Sequence, residues 1–364
     1  MRFAATILLL LAPAAFPAGP ADAARGAKIL SERQCLQCHD FARHTGRSLV
    51  GPLAKLRKSQ LKPAQLVGAM WSHLPTMTAA AGSHAPSFQP WSEQDAADLL
   101  AWFAAAGYFD PAGDSKRGEA LFTSQGCVSC HPLSAVANGK PANGDTIPVD
   151  GWKSLHNPIA LLHSVWRHAP SMKAALDGKT MRWPALTVPE FADLLAFVYS
   201  RVPANGAGVN LTLGDAEKGK AIFSMKGCSS CHAKMPASRE AGLLHSFTEL
   251  TAIFWNHAPM MTSLPASLNR EEIADVVAYL WVSRYFEDSG SVVRGRSVFQ
   301  RKHCEACHNE ARPVAKNSAV AMLAAAWKHA PAAVEQARGK GISWPKFESG
   351  EMGDLIAYLS SLIR

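Results

Sequence analysis

The chain has 364 residues, of which 48% are hydrophobic and 18% charged. This composition is ordinary for globular proteins and excludes wholesale disorder and collagen-like repeats, and at about 100–200 residues per domain the length predicts two to four domains. The formal net charge is +8, which favours an anionic partner. The eight cysteines are too few for a disulfide-dense scaffold of this length.

The N-terminus has the features of a secretory signal. Arg2 supplies a positive start, residues 3–15 are mostly apolar, and Ala21-Asp22-Ala23 has the small-x-small pattern that precedes a cleavage site. An uncleaved membrane anchor is the alternative, although the apolar run is short for a membrane span. We therefore predict a signal peptide at 1–23, export to the periplasm, and no membrane span after removal of the signal.

All eight cysteines fall into four copies of the motif C-x-x-C-H. The copies consist of Cys35, Cys38 and His39; Cys127, Cys130 and His131; Cys228, Cys231 and His232; and Cys304, Cys307 and His308. The copies divide the chain into repeats, for which we predict four domains after the signal. These domains are residues 24–112, 113–206, 212–287 and 290–364, called units 1 to 4 below.

Further elements recur in the same order in each unit. A glycine precedes each cysteine pair, with a large apolar side chain four residues after the glycine. These residues are Gly26 and Leu30, Gly118 and Phe122, Gly219 and Phe223, and Gly295 and Phe299. A helical segment with the motif W-x-H-x-P follows, at 71–75, 166–170, 255–259 and 327–331. Each unit closes with an acidic, aliphatic and aromatic helix, whose acidic residues are Asp98, Asp193, Asp275 and Asp354.

Two structural expectations follow from these patterns. The proline of each W-x-H-x-P motif predicts that the helix ends near the preceding histidine, because a residue before proline is disfavoured in the helical conformation. No segment gives a convincing β-hairpin signal.

The motif C-x-x-C-H is the attachment signature of c-type haem. Two cysteines one helical turn apart can bond to the two vinyl groups of one porphyrin edge, and the next histidine then lies under the iron. Four copies that use every cysteine behind an export signal predict four covalently bound c-type haems. The predicted proximal iron ligands are His39, His131, His232 and His308.

Other chemistries explain the cysteines less completely. A structural zinc site needs four ligands, usually from two neighbouring pairs, and these pairs are far apart in the chain. A thioredoxin-like redox pair expects a βαβ context. Disulfides could form across C-x-x-C in an oxidising compartment, but they leave the four following histidines unexplained.

The units resemble class I c-type cytochromes in the glycine and aromatic residue before the cysteine pair and in the closing helix. The resemblance covers nearly the whole chain after the signal, as a tandem tetrahaem protein. It implies an all-α fold of four cytochrome c-like helical domains, each around one haem. In that family the first and last helices cross closely, so Gly118 and Phe122 are expected to meet Phe197. Likewise, Gly219 and Phe223 are expected to meet Tyr279.

The distal iron ligand departs from the pattern of that family. Class I domains usually place a methionine in a loop before the closing helix, whereas here the candidates cluster at W-x-H-x-P. The motif histidine occurs in all four units and is the predicted distal ligand: His73, His168, His257 and His329. A methionine two residues after the motif proline is the alternative: Met77, Met172 and Met261. Unit 4 has Ala333 at that position.

Tryptophan–proline pairs distinguish the units from one another. Trp183-Pro184 and Trp344-Pro345 follow the motif in units 2 and 4, unit 1 has the inverted Pro90-Trp91, and unit 3 has neither. These residues either cover the distal haem edge as hydrophobic lids or only pack in loops. The sequence leaves both interpretations open.

The charge and the motifs together predict an electron carrier. Each haem brings two propionates, so four haems would offset the charge of +8, and the scattered basic residues form no nucleic-acid patch. The predicted function is periplasmic electron transfer between transiently bound redox partner proteins, without catalysis. The alternatives are a haem enzyme with an open, peroxidase-like site in unit 4 and the electron-accepting subunit of a dehydrogenase complex. The oligomeric state is left open.

Overall fold

The computed structural model describes residues 19–39, 61–81, 89–134, 136–137, 140–141, 148–202, 211–232, 246–260, 267–282, 290–308 and 318–362. These residues are mostly helical, in agreement with the predicted fold class. Within the described ranges, no helix combines the length and apolar character needed to cross a membrane.

Each unit contains three main helices, which we call the first, distal and closing helix. Unit 1 has α1 (Ala23–Glu32), α2 (Pro63–Ala81) and α3 (Glu93–Ala105), and unit 2 has α4 (Ser115–Ser124), α5 (Pro158–Gly178) and α6 (Val188–Arg201). Unit 3 has α7 (Ala216–Met225), α8 (Phe247–His257) and α9 (Arg270–Val282), and unit 4 has α10 (Val292–Arg301), α11 (Ala319–Gly339) and α12 (Glu351–Ser361). Shorter helical turns lie at Cys35–Gln37, Cys127–Ser129, Val149–Gly151, Lys153–His156, Cys228–Cys231, Ala258–Met260 and Cys304–Ala306.

The first and closing helices of a unit cross at a glycine. In unit 2, a Cβ atom added to Gly118 would overlap the carbonyl oxygen of Asp193 and lie 2.8 Å from the Cβ of Phe197. Only glycine permits this approach, and the rings of Phe122 and Phe197 pack beside it with centroids 5.4 Å apart. Unit 3 repeats the crossing with Gly219, Phe223 and Tyr279. These contacts confirm the predicted helix crossing.

A buried aspartate of the closing helix anchors the start of the first helix. Asp193 accepts hydrogen bonds from the amide of Asp114 at 2.6 Å and from two guanidinium nitrogens of Arg117 at 2.7 and 2.8 Å. The bonds from Arg117 hold the pKa of the Asp193 carboxyl below its ordinary value, although burial opposes them. Units 1 and 4 repeat the ion pair with Arg25 and Asp98, and with Arg294 and Asp354.

Asp22 is part of the same arrangement in unit 1. Its side chain accepts hydrogen bonds from the amides of Ala24 and Arg25 and so caps α1, while its own amide donates to Asp98 Oδ1 at 2.7 Å. Its carboxylate also accepts a hydrogen bond from the Thr212 hydroxyl at 2.7 Å. A cleavage after Ala23 would remove Asp22 and all of these bonds.

Three distal helices continue through the motif proline, so the predicted helix end is wrong for them. Helices α2, α5 and α11 contain a proline in their interior, whereas α8 ends at His257 as predicted. Proline lacks the N–H that would bond to the carbonyl four residues earlier. For Pro75 that carbonyl belongs to Trp71, and the indole N–H of Trp344 in unit 4 donates to it at 2.8 Å. A tertiary contact therefore satisfies the acceptor that proline leaves open.

Unit 2 also contains a short β-hairpin that the sequence analysis missed. Val136–Ala137 pairs antiparallel with Lys140–Pro141. Asn138-Gly139 lies between these strands in the sequence, and Asn-Gly is a strong hairpin signal. Each strand has only two residues, which is too short to show the alternation of apolar and polar residues by which strands are predicted.

The four units pack as nested pairs, unit 1 with unit 4 and unit 2 with unit 3. In the first pair, α2 and α3 contact α11, and α2 also contacts α12. In the second pair, α8 packs against α5 and α6, and α9 packs against α5. A short backbone pairing joins the residues that directly precede units 1 and 3, because the amide of Ala23 donates to the carbonyl of Leu211 at 2.7 Å. The first and last units of the chain are therefore neighbours.

Candidate functional site

The four C-x-x-C-H copies form helical turns with the same internal hydrogen bond. The amide of the histidine donates to the carbonyl oxygen of the first cysteine at 2.9, 2.8, 2.9 and 2.9 Å in units 1 to 4. Residues four apart lie on the same face of a helical turn. The first cysteine and the histidine of each copy are thus presented together to one side of the unit.

A residue with positive φ turns the chain into each copy. Glycine takes this position in two units, as Gly126 and Gly227, with φ of 77° and 78°. Gln34 and His303 take it in the other two, with φ of 61° and 57°. Side chains rarely adopt this left-handed conformation, so its recurrence shows that the turn geometry is common to all four units.

Burial changes the chemistry of the first cysteine in each copy. It raises the pKa of the thiol to about 11 in Cys35 and in Cys304, and it raises the pKa of Cys127 and Cys228 as well. The thiolate, not the thiol, is the metal-binding form of cysteine. Burial therefore favours the protonated thiol over the thiolate at the first cysteine of each copy.

The structure places the motif histidine opposite the C-x-x-C-H histidine. The ring centroids lie 6.0 Å apart for His39 and His73, 5.6 Å for His131 and His168, and 5.5 Å for His232 and His257. Two metal–nitrogen bonds of about 2 Å each, added to the radii of two imidazole rings, give a separation of similar but slightly larger size. The two rings of each pair are therefore close to the spacing of two ligands of one metal ion.

The electrostatics extend this pairing to unit 4. The pKa of His308 is lowered by burial and, in addition, by the neighbouring His329. The pKa of His39 is lowered by burial and by His73, and that of His131 by burial and by His168. The pKa of His257 in unit 3 is likewise lowered, by burial and by the neighbouring His232.

The alternative distal ligands lie one helical turn beyond the motif histidines. Met77 and Met172 are on α2 and α5, four residues after His73 and His168. Met261 lies outside the described residues. In unit 4, the residue at this position is Ala333, which lines the cavity beside His329. The choice between histidine and methionine stays a prediction, and the ring pairing in units 1 to 3 favours histidine.

A cavity in unit 4 gathers the whole predicted donor set. It has a volume of about 400 Å³ and is lined by Cys304, Cys307, His308 and His329. Both cysteines of the motif and both predicted axial histidines therefore line one space, as a covalently bound porphyrin would require. In unit 2, Nδ1 of His131 is buried without a hydrogen-bond partner among the described residues. The residues present fit a c-type haem.

The tryptophan–proline pairs lie at the contacts between units. Trp344 of unit 4 stacks on Trp71 of unit 1 with ring centroids 4.6 Å apart, and both line the unit 4 cavity. Trp183 of unit 2 packs against Trp255 of unit 3 at 4.8 Å. For Trp344, the structure favours the interpretation as a hydrophobic lid, because this residue lines the cavity. The residue that stacks on it, Trp71, belongs to another unit.

The variable x residue of W-x-H-x-P completes these contacts. In unit 1, Ser72 Oγ accepts a hydrogen bond from the amide of Phe347 at 2.8 Å. In unit 3, Asn256 accepts from the amide of Leu186 at 3.0 Å and donates to its carbonyl at 2.6 Å. Phe347 and Leu186 each stand three residues after the tryptophan of a Trp–Pro pair. In both pairs of units, a small polar x residue thus forms hydrogen bonds with the backbone of the segment that begins with Trp–Pro.

Two lysines near the cysteine sulfurs were missed by the sequence analysis. The ammonium group of Lys179 lies 3.5 Å from Cys130 Sγ, and that of Lys340 lies 3.4 Å from Cys307 Sγ. Both lysines follow directly on a distal helix, at the same distance after the motif histidine in units 2 and 4. This recurrence in the sequence could have revealed both lysines. Each lysine places a positive charge beside the second cysteine of its motif.

The comparisons with known proteins bear on unit 2. Residues 115–201 match the family model for cytochrome c. The match supports a c-type cytochrome and implies covalently bound haem iron and haem-based electron transfer. No curated protein and no solved structure matches the chain.

Proposed function

We propose that the chain is a periplasmic electron-transfer protein that carries four c-type haems and passes electrons between redox partner proteins. The observation that carries the proposal is the repetition of one site geometry: a C-x-x-C-H turn followed in space by a second histidine. Unit 2, which contains that geometry, is also the unit that matches cytochrome c. The proposal extends the same cofactor to units 1, 3 and 4.

The polypeptide has three tasks at each site. Its two cysteines would hold the porphyrin through thioether bonds, and the adjacent histidine would ligate the iron from one side. The motif histidine would ligate from the other side, which leaves no position for a substrate and favours a carrier over an enzyme. Iron porphyrin supplies one-electron chemistry, while the protein supplies binding, orientation and insulation from water.

The proposed role as a carrier also determines how tightly the partner proteins should bind. An electron carrier must release its partners quickly, and weak redox encounters bury little surface. We therefore propose transient docking to a donor and an acceptor. A stable complex with a dehydrogenase is the alternative, and co-purification of a second subunit from the periplasm would show it.

An optical redox titration of the exported protein tests the proposal. We expect a mass that exceeds the signal-free polypeptide by four haems and reversible reduction of all four. The C304A/C307A variant should lose one haem and keep the other three. A colourless protein, or fewer than four haems in the unmodified chain, would contradict the proposal.

Ligand binding separates the carrier from a haem enzyme. If His329 ligates the iron of unit 4, the oxidised protein should be wholly low-spin and should not bind cyanide rapidly. A high-spin signal that disappears in C304A/C307A would instead support the open, peroxidase-like site, because Ala333 offers no ligand there.

A further inference from the structure

The tryptophan and histidine of W-x-H-x-P face opposite sides of the distal helix. Successive residues of an α-helix are rotated by about 100°, so side chains two positions apart point in nearly opposite directions. In α2, His73 faces His39 of its own unit, whereas Trp71 stacks on Trp344 of unit 4. One helix therefore contributes to two units.

The other motif tryptophans also contact the paired unit. Trp327 of unit 4 stacks on Trp91 of unit 1, with ring centroids 4.2 Å apart. Trp255 of unit 3 packs against Trp183 of unit 2, and Trp166 of unit 2 lies 5.8 Å from Phe254 of unit 3. The two-residue spacing of tryptophan and histidine in the motif thus lets one helix contact its own site and the paired unit at the same time.

Trp71 extends to the unit 4 site itself. It lines the same cavity as Cys304, His308 and His329. Its indole Nε1 is buried and has no hydrogen-bond partner among the described residues, whereas Nε1 of Trp344 is bonded to the carbonyl of Trp71. Buried donors are nearly always satisfied in native proteins. The indole N–H of Trp71 is therefore available to a group outside the described residues.

Resting on the proposed function, we propose that Trp71 of unit 1 is a binding residue of the haem site in unit 4, where its indole N–H donates to a haem propionate. Units 1 and 4 then form one two-centre module, because α2 carries His73 for the first site and Trp71 for the second. Units 2 and 3 form the other module. Close packing within a pair would favour one-electron exchange between the two haems that the pair would hold.

The proposal predicts a change in a neighbouring unit. A hydrogen bond from Trp71 partly compensates the negative charge of the propionate, and hydrogen bonds around a haem tune its potential. Without this donor, the uncompensated charge favours the more positive, ferric state. Removing the indole from unit 1 should therefore lower the midpoint potential of the haem in unit 4.

The test is a redox titration of the Trp71→Phe holoprotein followed by proton NMR of the haem methyl groups. Each haem is assigned by the signals lost when its own cysteine pair is replaced by alanine. We expect a lower potential for the haem of unit 4, with the haems of units 2 and 3 unchanged. Trp255→Phe is the matched control, since it should leave the haems of units 1 and 4 at their original potentials.

Two results would overturn the proposal: a change confined to the haem of unit 1, or an equal change at all four haems. If Trp71→Phe fails to mature, NMR cross-relaxation in the unmodified protein gives a second measurement. The indole proton of Trp71 should then show contact with the haem of unit 4, and the lack of this contact would also refute the proposal. A haem count below four would instead refute the proposed function, so the two failures are distinguishable.

Discussion

Trp344 donates its indole N–H to the carbonyl oxygen of Trp71 at 2.8 Å, across 273 residues of sequence. This carbonyl is the one that Pro75 leaves without a helical partner. Pro75 and Trp344 therefore act together. The carbonyl that Pro75 leaves without a hydrogen bond in its helix accepts one from Trp344 of unit 4.

A double-mutant cycle can test whether these two residues act together. Trp344→Phe keeps an aromatic ring for stacking but leaves the Trp71 carbonyl unsatisfied, so the free energy of unfolding should fall by about 1–3 kcal/mol. In a Pro75→Ala background, the restored backbone N–H can satisfy that carbonyl, and Trp344→Phe should cost less. Urea unfolding of the four holoproteins measures the coupling. An equal cost in both backgrounds would show that the two residues are independent.

The distal ligand can be identified by paired variants in unit 2. Because the ring centroids of His131 and His168 lie 5.6 Å apart, His168→Ala should open one axial position of the iron in unit 2 under the proposed function. We expect a high-spin signal and CO binding for a single haem, read by EPR and optical spectroscopy. Met172→Ala is the control and should leave the low-spin spectrum intact. The reverse pattern would assign methionine as the ligand.

The helix crossing in unit 2 should tolerate no side chain at Gly118. Gly118→Ala forces a Cβ against the Asp193 carbonyl, and overpacking of this kind costs about 1–3 kcal/mol. Gly178→Ala is a matched control at the end of α5, where an added Cβ meets no atom within 4 Å. Thermal unfolding should show a lower melting temperature for the first variant and an unchanged or higher one for the second.

The ion pair of Arg117 and Asp193 predicts a dependence of stability on pH. The pKa of Asp193 is lowered in the folded state, chiefly by its hydrogen bonds with Arg117. The resulting stability is complete above the unfolded pKa of about 3.9 and is lost as the pH falls through the lower folded pKa. Arg117→Ala should therefore reduce stability at neutral pH more than at strongly acidic pH, as measured by urea unfolding across pH.

Unit 3 supplies the control for this prediction. Lys218 stands in the position of Arg117, and no ion pair joins it to Asp275 among the described residues. Lys218→Ala should leave the pH profile of stability unchanged. A profile that shifts equally in both variants would show that net charge, rather than the specific pair, is responsible.

The contacts of Asp22 predict where the mature chain begins. Asp22 caps α1 and donates to Asp98, so cleavage after Ala23 would remove a cap worth about 1 kcal/mol as well as the bond to the buried carboxylate. We expect processing at or before the Ala21–Asp22 bond, leaving Asp22 in the exported protein. Intact-mass measurement of the processed protein checks this, and a chain that begins at Ala24 would contradict it.

The repeated pattern was sufficient to predict the elements within a unit. Gly118, Phe122 and Phe197 recur at fixed positions, and local periodicity determines which faces of their helices meet. The pairing of Trp71 with Trp344 could not be predicted in this way, because periodicity does not identify the partner of an exposed helix face. The helix through Pro75 was missed for the same reason, since its compensating donor comes from another unit.

Nested pairing also sets an order of assembly. Synthesis proceeds from the N-terminus, and domains generally fold as units in that order. Units 2 and 3 are consecutive and can associate as soon as unit 3 has emerged, whereas the aromatic face of α2 must wait for the last stretch of chain. Unit 4 therefore completes the pair with unit 1, and its truncation would leave the aromatic face of α2 in unit 1, rather than a surface of the neighbouring unit 3, exposed to aggregation.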